Sequence, residues 1–155
     1  MRIEVLNGVN LDLLGRRDTQ VYGDSSLSDL ETQVYGWARE LGLQVRCRQT
    51  NHEGEYVEWL HQALDGAEGL VLNPGAWTHY SWAIRDALEP FRGPVVEVHI
   101  SDVGAREEWR RLSVLEGLTA TRIAGHGLDG YREALAYLAG GSRPGRQGQT
   151  ASRTA

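Results

Sequence analysis

About five times along this chain a short apolar run gives way to a stretch with apolar residues at helical spacing. That alternation restricts the fold to an α/β class with a five-stranded parallel sheet flanked by helices. Candidate strands occupy 3–6, 43–48, 69–72, 95–100 and 119–124. The first helix is the best marked: Ser26 and Asp29 form a capping-box-like pair, and Gly42 stops it. Its buried stripe is Leu27, Leu30, Val34, Ala38 and Leu41. Later helices near 54–64, 80–91 and 128–138 carry Val57, Leu60 and Leu64, then Ala83, Ala87, Leu88 and Phe91, then Tyr131, Leu135 and Leu138. A chain of 155 residues makes one domain, here 1–139. Residues 140–155 lack apolar periodicity and read as a disordered tail.

In open α/β sheets, ligands bind beyond the carboxyl ends of the strands. The polar residues of this chain gather there. Asn7, Asn10, Arg16, Arg17 and Tyr22 follow the first strand, and Asn51, His52 and Glu53 the second. Asn73 and His79 follow the third, while His99 and Ser101 end the fourth. Loops are polar in general, but this choice of His and Asn points to a site.

Several of these residues carry chemistry. Glu97 and His99 are two apart in a strand and share a face. A carboxylate beside an imidazole orients the ring and suits it to general-acid work. A structural contact and metal ligation are the alternatives, the latter without convincing further ligands. The connection 10–23 is long for a βα loop, as lids are, and holds Arg16, Arg17 and Tyr22. A phenol ionises near pH 10 and is a poor base at neutral pH. Two guanidinium groups within about 5 Å would favour a phenolate. Arg17 is available locally and Arg106 from the fourth loop. Standing alone, a tyrosine in such a loop is more often solvated surface. The run 73–79 is either a rigid turn with a helix cap, or a source of donors in Asn73 and His79. Backbone amides near Ile100 and Ser101 suit a carboxylate. Arg106 and Arg110, four apart, would share a helical face, whether solvated or turned inward.

Composition removes whole classes of function. All sixteen basic residues are arginine, so Schiff-base catalysis, a pyridoxal aldimine and a phosphate-loop lysine are excluded. A net charge of −5 without a basic block argues against nucleic acid. The single cysteine, Cys47, permits neither an internal disulfide nor a cysteine zinc cage. No apolar run approaches bilayer length, so the chain reads as cytoplasmic, with no membrane partner.

In order and in register, the motifs of this chain resemble those of the type II 3-dehydroquinate dehydratases. They are Leu6-Asn7-Gly8-Val9-Asn10-Leu11, Leu14-Gly15-Arg16-Arg17, Val21-Tyr22-Gly23 and Gln49-Thr50-Asn51-His52-Glu53-Gly54-Glu55. Further along come Asn73-Pro74-Gly75-Ala76, Thr78-His79, Ile84-Arg85-Asp86-Ala87, Glu97-Val98-His99-Ile100-Ser101 and Ala105-Arg106-Glu107-Glu108. The resemblance implies a flavodoxin-like domain and a hydro-lyase of the shikimate route to aromatic amino acids. It implies an anti elimination of water from 3-dehydroquinate, a cyclic keto-acid, through an enolate. Tyr22 would be the base, with Arg17 and Arg106 holding its charge, and Asn10 would position the water at the enolate oxygen. His99, oriented by Glu97, would protonate the departing hydroxyl. Asn73 and the amides of Ile100 and Ser101 would hold the carboxylate. His79 and Arg110 would bind ring hydroxyls, with Asp86 supplied by a neighbouring subunit. It also implies homo-oligomers, trimers that assemble as dodecamers, and neither cofactor nor metal.

The chain departs from that pattern at Val9, at Asp18-Thr19 in place of a lid Glu-Pro, and at Tyr80, Trp82, Gly104 and His126. Loss of the lid proline costs a few tenths to about 1 kcal/mol of pre-organisation. Tyr80 and Trp82 motivate a second reading, a paralogue acting on an amino analogue of dehydroquinate. A third is a flavodoxin-like module that binds FMN or a nucleotide, although Asn7-Gly8-Val9-Asn10 offers only one glycine to a phosphate.

Overall fold

A computed structural model describes residues 1–140. Five strands form: β1 (Arg2–Asn7), β2 (Gln44–Gln49), β3 (Gly69–Asn73), β4 (Val95–His99) and β5 (Thr121–Ala124). Their order across the sheet is β2-β1-β3-β4-β5, and every pairing is parallel. That is the flavodoxin-like order, with its topological switch between β1 and β3. The central strands β3 and β4 are buried at every residue, as strands covered on both faces must be.

Helices α1 (Thr19–Tyr22), α2 (Leu27–Glu40), α3 (Glu53–Gly66), α4 (Trp82–Leu88) and α5 (Asp129–Ala139) complete the domain. Leu30, Val34 and Ala38 of α2 and Tyr131, Leu135 and Leu138 of α5 pack on Ile3, Val5, Val71, Val96 and Val98. The opposite face of the sheet buries Leu6, Leu70 and Leu72 against α3 and α4. The capping box of α2 is present, with the Asp29 amide 3.1 Å from Ser26 Oγ and the Ser26 amide 2.9 Å from Asp29 Oδ2.

The helical stripes differ from expectation in places. Leu41 and Leu64 are exposed, and α3 buries Tyr56, Trp59, Leu60 and Ala63 instead. The third expected helix is shorter, because a 3-10 turn at Gly75–His79 precedes it and Ser81 caps α4. Residues 106–110 form no α-helix either. Arg106 is extended between two 3-10 turns, so Arg106 and Arg110 do not share a helical face. Of the expected tail, 141–155 lies outside the described residues.

Two interlocked turns close the end of the switch point. Gly8 lies so near Pro74 that a Cβ there would fall 2.3 Å from the Pro74 carbonyl oxygen. Gly75, at φ 65°, has equally little room, with the Val9 carbonyl oxygen 2.6 Å from where its Cβ would stand.

Candidate active site

The crevice beyond β1, β3 and β4 is lined by Asn10, Arg17, Tyr22, Asn73, His79, His99, Ile100, Ser101, Arg106 and Arg110. These are ten of the twelve candidate residues. Glu97 stands behind the crevice, and Asp86 lies on the exposed side of α4, away from it.

Tyr22 ends the short helix α1, which lies within the expected loop 10–23. Asp18 starts that helix by accepting the Gln20 amide at 3.1 Å, and Thr19, its first residue, stands where the family pattern has the lid proline. Two guanidinium groups converge on the phenol. Arg106 Nη1 donates to the Tyr22 oxygen at 2.6 Å, and Arg17 Nη2 donates at 3.2 Å. The Arg17 guanidinium carbon also sits 4.3 Å from the ring centroid. Both donors are cationic, so the phenol oxygen accepts two charge-assisted hydrogen bonds. Arg106 reaches Ser101 Oγ as well, at 3.4 Å, which ties the arginine to the end of β4.

Glu97 and His99 do share a face of β4. His99 Nε2 is 2.6 Å from Glu97 Oε1. Burial alone would raise the Glu97 carboxyl, but the hydrogen bond and charge of His99, the charge of Arg122 and the hydroxyl of Ser113 outweigh it and hold the group below its ordinary value. An ionised carboxylate only accepts, so Nε2 of His99 carries a hydrogen and Nδ1 remains for a ligand.

His79 is fixed in the same manner by a different partner. Its Nδ1 lies 2.7 Å from the Leu112 carbonyl oxygen, which can only accept, so Nδ1 carries the proton. Burial lowers the pKa of this ring, and the positive neighbours His99, Arg110 and Arg122 act in the same direction against the Leu112 carbonyl. The neutral ring offers Nε2 as an acceptor. The His79 and His99 rings stack with centroids 6.2 Å apart, and Trp109 meets His79 edge-on.

Sequence reasoning missed the support beneath the floor. Tyr131, expected only as a core residue of α5, donates its hydroxyl hydrogen to Asn7 Oδ1 at 2.6 Å and accepts from Asn73 Nδ2 at 2.9 Å. Asn73 Oδ1 takes the Gly75 amide at 3.2 Å, so the crevice amide is held from two sides. Asn10 adopts a left-handed conformation, φ 67°, which asparagine tolerates. Its amide donates to Asn51 Oδ1 at 2.8 Å. Asn51 therefore braces the lid, and neither it nor His52 lines the crevice.

The other departures fall mostly outside the crevice. Val9 lines it. Tyr80 and Trp82 are 57% and 60% exposed and do not, which removes the observation behind the amino-analogue reading. His126 pairs with Glu133 at 2.8 Å.

Comparison with known proteins agrees with this geometry. The family described as Dehydroquinase class II matches residues 1–139. The 3-dehydroquinate dehydratase of Deinococcus radiodurans is 53% identical over 136 residues, 87% of this chain and 95% of that one. That of Pelobacter propionicus is 50% identical over 135 residues, covering 86% and 91%. Among solved structures, the type II dehydroquinase of Propionibacterium acnes superposes with a TM-score of 0.87 at 48% identity, covering 90% of this chain and 96% of that one. A likeness in sequence and backbone that runs from the first strand to the last helix makes this chain a member of the class II dehydroquinase family.

Proposed function

We propose that this hydro-lyase, a type II 3-dehydroquinate dehydratase, removes water through a Tyr22 phenolate and a His99 imidazolium. The observation that carries the mechanism is the convergence of Arg106 and Arg17 on the Tyr22 oxygen, within the crevice that His99 also lines.

Tyr22 takes the proton beside the ketone, and the electron pair moves onto the carbonyl oxygen as an enolate. Asn10 positions a water that stabilises that oxygen. The enolate then reforms its carbonyl and expels the β-hydroxyl, which His99 protonates from Nδ1, so water departs and a conjugated enone remains. Glu97 keeps the His99 ring oriented through Nε2. Asn73, with the Ile100 and Ser101 amides, receives the substrate carboxylate, and His79 Nε2 accepts from a ring hydroxyl beside Arg110.

Asp86 belongs to a neighbour's site in this reading. It is exposed one helical turn from Trp82, and Tyr80, Trp82, Trp109 and Leu112 are large apolar side chains left exposed, which suits subunits packed as trimers and then dodecamers. The enzyme acts in the cytoplasm, on the shikimate route, a setting that fits a chain whose one cysteine can form no internal disulfide. Purified protein given 3-dehydroquinate generates enone absorbance in the ultraviolet. A folded, assembled protein that produces none contradicts the assignment.

A further inference from the structure

Register places Arg122 of β5 directly beside Glu97 of β4, and its Nε lies 3.2 Å from Glu97 Oε1. This is the same oxygen that binds His99 at 2.6 Å. Ser113 Oγ donates to the other oxygen, Oε2, at 2.9 Å. A carboxylate that is 1% exposed is therefore hydrogen-bonded by His99 of β4 and by Ser113 from the segment before β5, and is paired in charge with Arg122 of β5. Arg122 approaches from the rear, where Arg111, Ser113, Glu116 and Thr119 line an open cavity on the far side of Glu97 from the crevice. On α3, the buried Tyr56 has its phenol pushed well up, chiefly by burial, and stays neutral. Among the described residues, Arg122 is the cation outside the crevice that pairs with Glu97, Arg111 only lining the same cavity, and the Arg122 side chain remains 31% exposed.

We infer that Arg122 is a positioning residue, which keeps Glu97 ionised and locked so that Glu97 goes on orienting His99 when the surroundings turn acidic. The inference rests on the reading of His99 as acid and Glu97 as its partner. Without Arg122, one desolvated carboxylate would depend on His99 and a neutral hydroxyl alone. Its protonation would then turn an acceptor into a donor and release the His99 ring. The lowering contributed by Arg122 to the Glu97 carboxyl supports this direction.

The test compares the full chain with Arg122→Met by carbon NMR of the Glu97 carboxyl and by the pH profile of kcat. The carboxyl titration in Arg122→Met moves to higher pH, and the acid limb of kcat moves with it while KM at neutral pH holds. Arg122→Lys returns both towards wild type. If Arg122→Met does not fold, Arg122→Gln provides the same comparison. An unmoved carboxyl titration in a folded neutral variant overturns the inference. A titration that moves while the acid limb of kcat stays fixed upholds the action of Arg122 on Glu97 and contradicts the catalytic reading of the Glu97–His99 pair.

Discussion

Arg106 Nη1 donates to the Tyr22 hydroxyl oxygen at 2.6 Å across 84 positions of chain. The fold thus builds its electrostatics from two distant loops. Removing a preorganised donor from such a site costs about 10²–10³-fold in kcat. Arg106→Ala therefore loses activity in that range, and Arg17→Ala loses less, since its bond is longer at 3.2 Å. Arg106→Lys restores little, because an ammonium lacks the planar fork. Steady-state kcat at saturating substrate checks the order.

His79 titrates below an ordinary imidazole because of its burial and its positive neighbours. As pH falls below about 6.5, the unfolded chain takes up a proton that the folded site refuses, so stability declines down to the folded value and then levels. His79→Asn removes that part of the decline. It also raises KM more than it lowers kcat, as loss of a substrate acceptor should. Thermal unfolding between about pH 5 and 7 with matched kinetics reads both.

Glu97 has the opposite sign. Its carboxyl is held down in the folded state, so its stabilisation is complete above the unfolded value of about 4.3 and is lost as pH falls through the lower folded one. Glu97→Gln lowers the melting temperature at neutral pH, and the gap to wild type narrows in acid. A constant gap contradicts the ionised pair.

Tyr131→Phe deletes the hydroxyl that bridges Asn7 and Asn73. Leaving those buried amides unpaired costs about 1–3 kcal/mol in urea unfolding. A loosened Asn73 weakens the hold on the substrate carboxylate, so KM rises. An unchanged KM would show that Asn73 needs no support from below.

What the sequence made legible depends on the range of the interaction. The five strands, the cap formed by Ser26 and Asp29, and the stripe Leu30, Val34 and Ala38 arise from neighbours within a few residues, and periodicity reveals them. Glu97 and His99 were readable because a strand repeats every second residue. Tyr131 looked like plain core because its ring is buried, while its hydroxyl acts 124 positions away on Asn7. Nothing in the pattern of the strand expected at 119–124 marks Arg122, and only the pairing of β5 with β4 puts it beside Glu97. The arginines at 106 and 110 kept helical spacing yet met two 3-10 turns, which bring both to the crevice by another geometry. The family motifs supplied the remaining roles, which physical reading of the residues alone had left open.

Tyr22→Phe keeps the ring among its arginines and removes only the oxygen that would take the substrate proton. The most direct measurement is kcat of this variant, alongside wild type, with circular dichroism and KM as controls on fold and binding. Loss of proton abstraction by a positioned base predicts a fall of about 10²–10⁴-fold with KM and fold preserved. A folded Tyr22→Phe protein that turns over within about tenfold of wild type would mean that another group takes the proton.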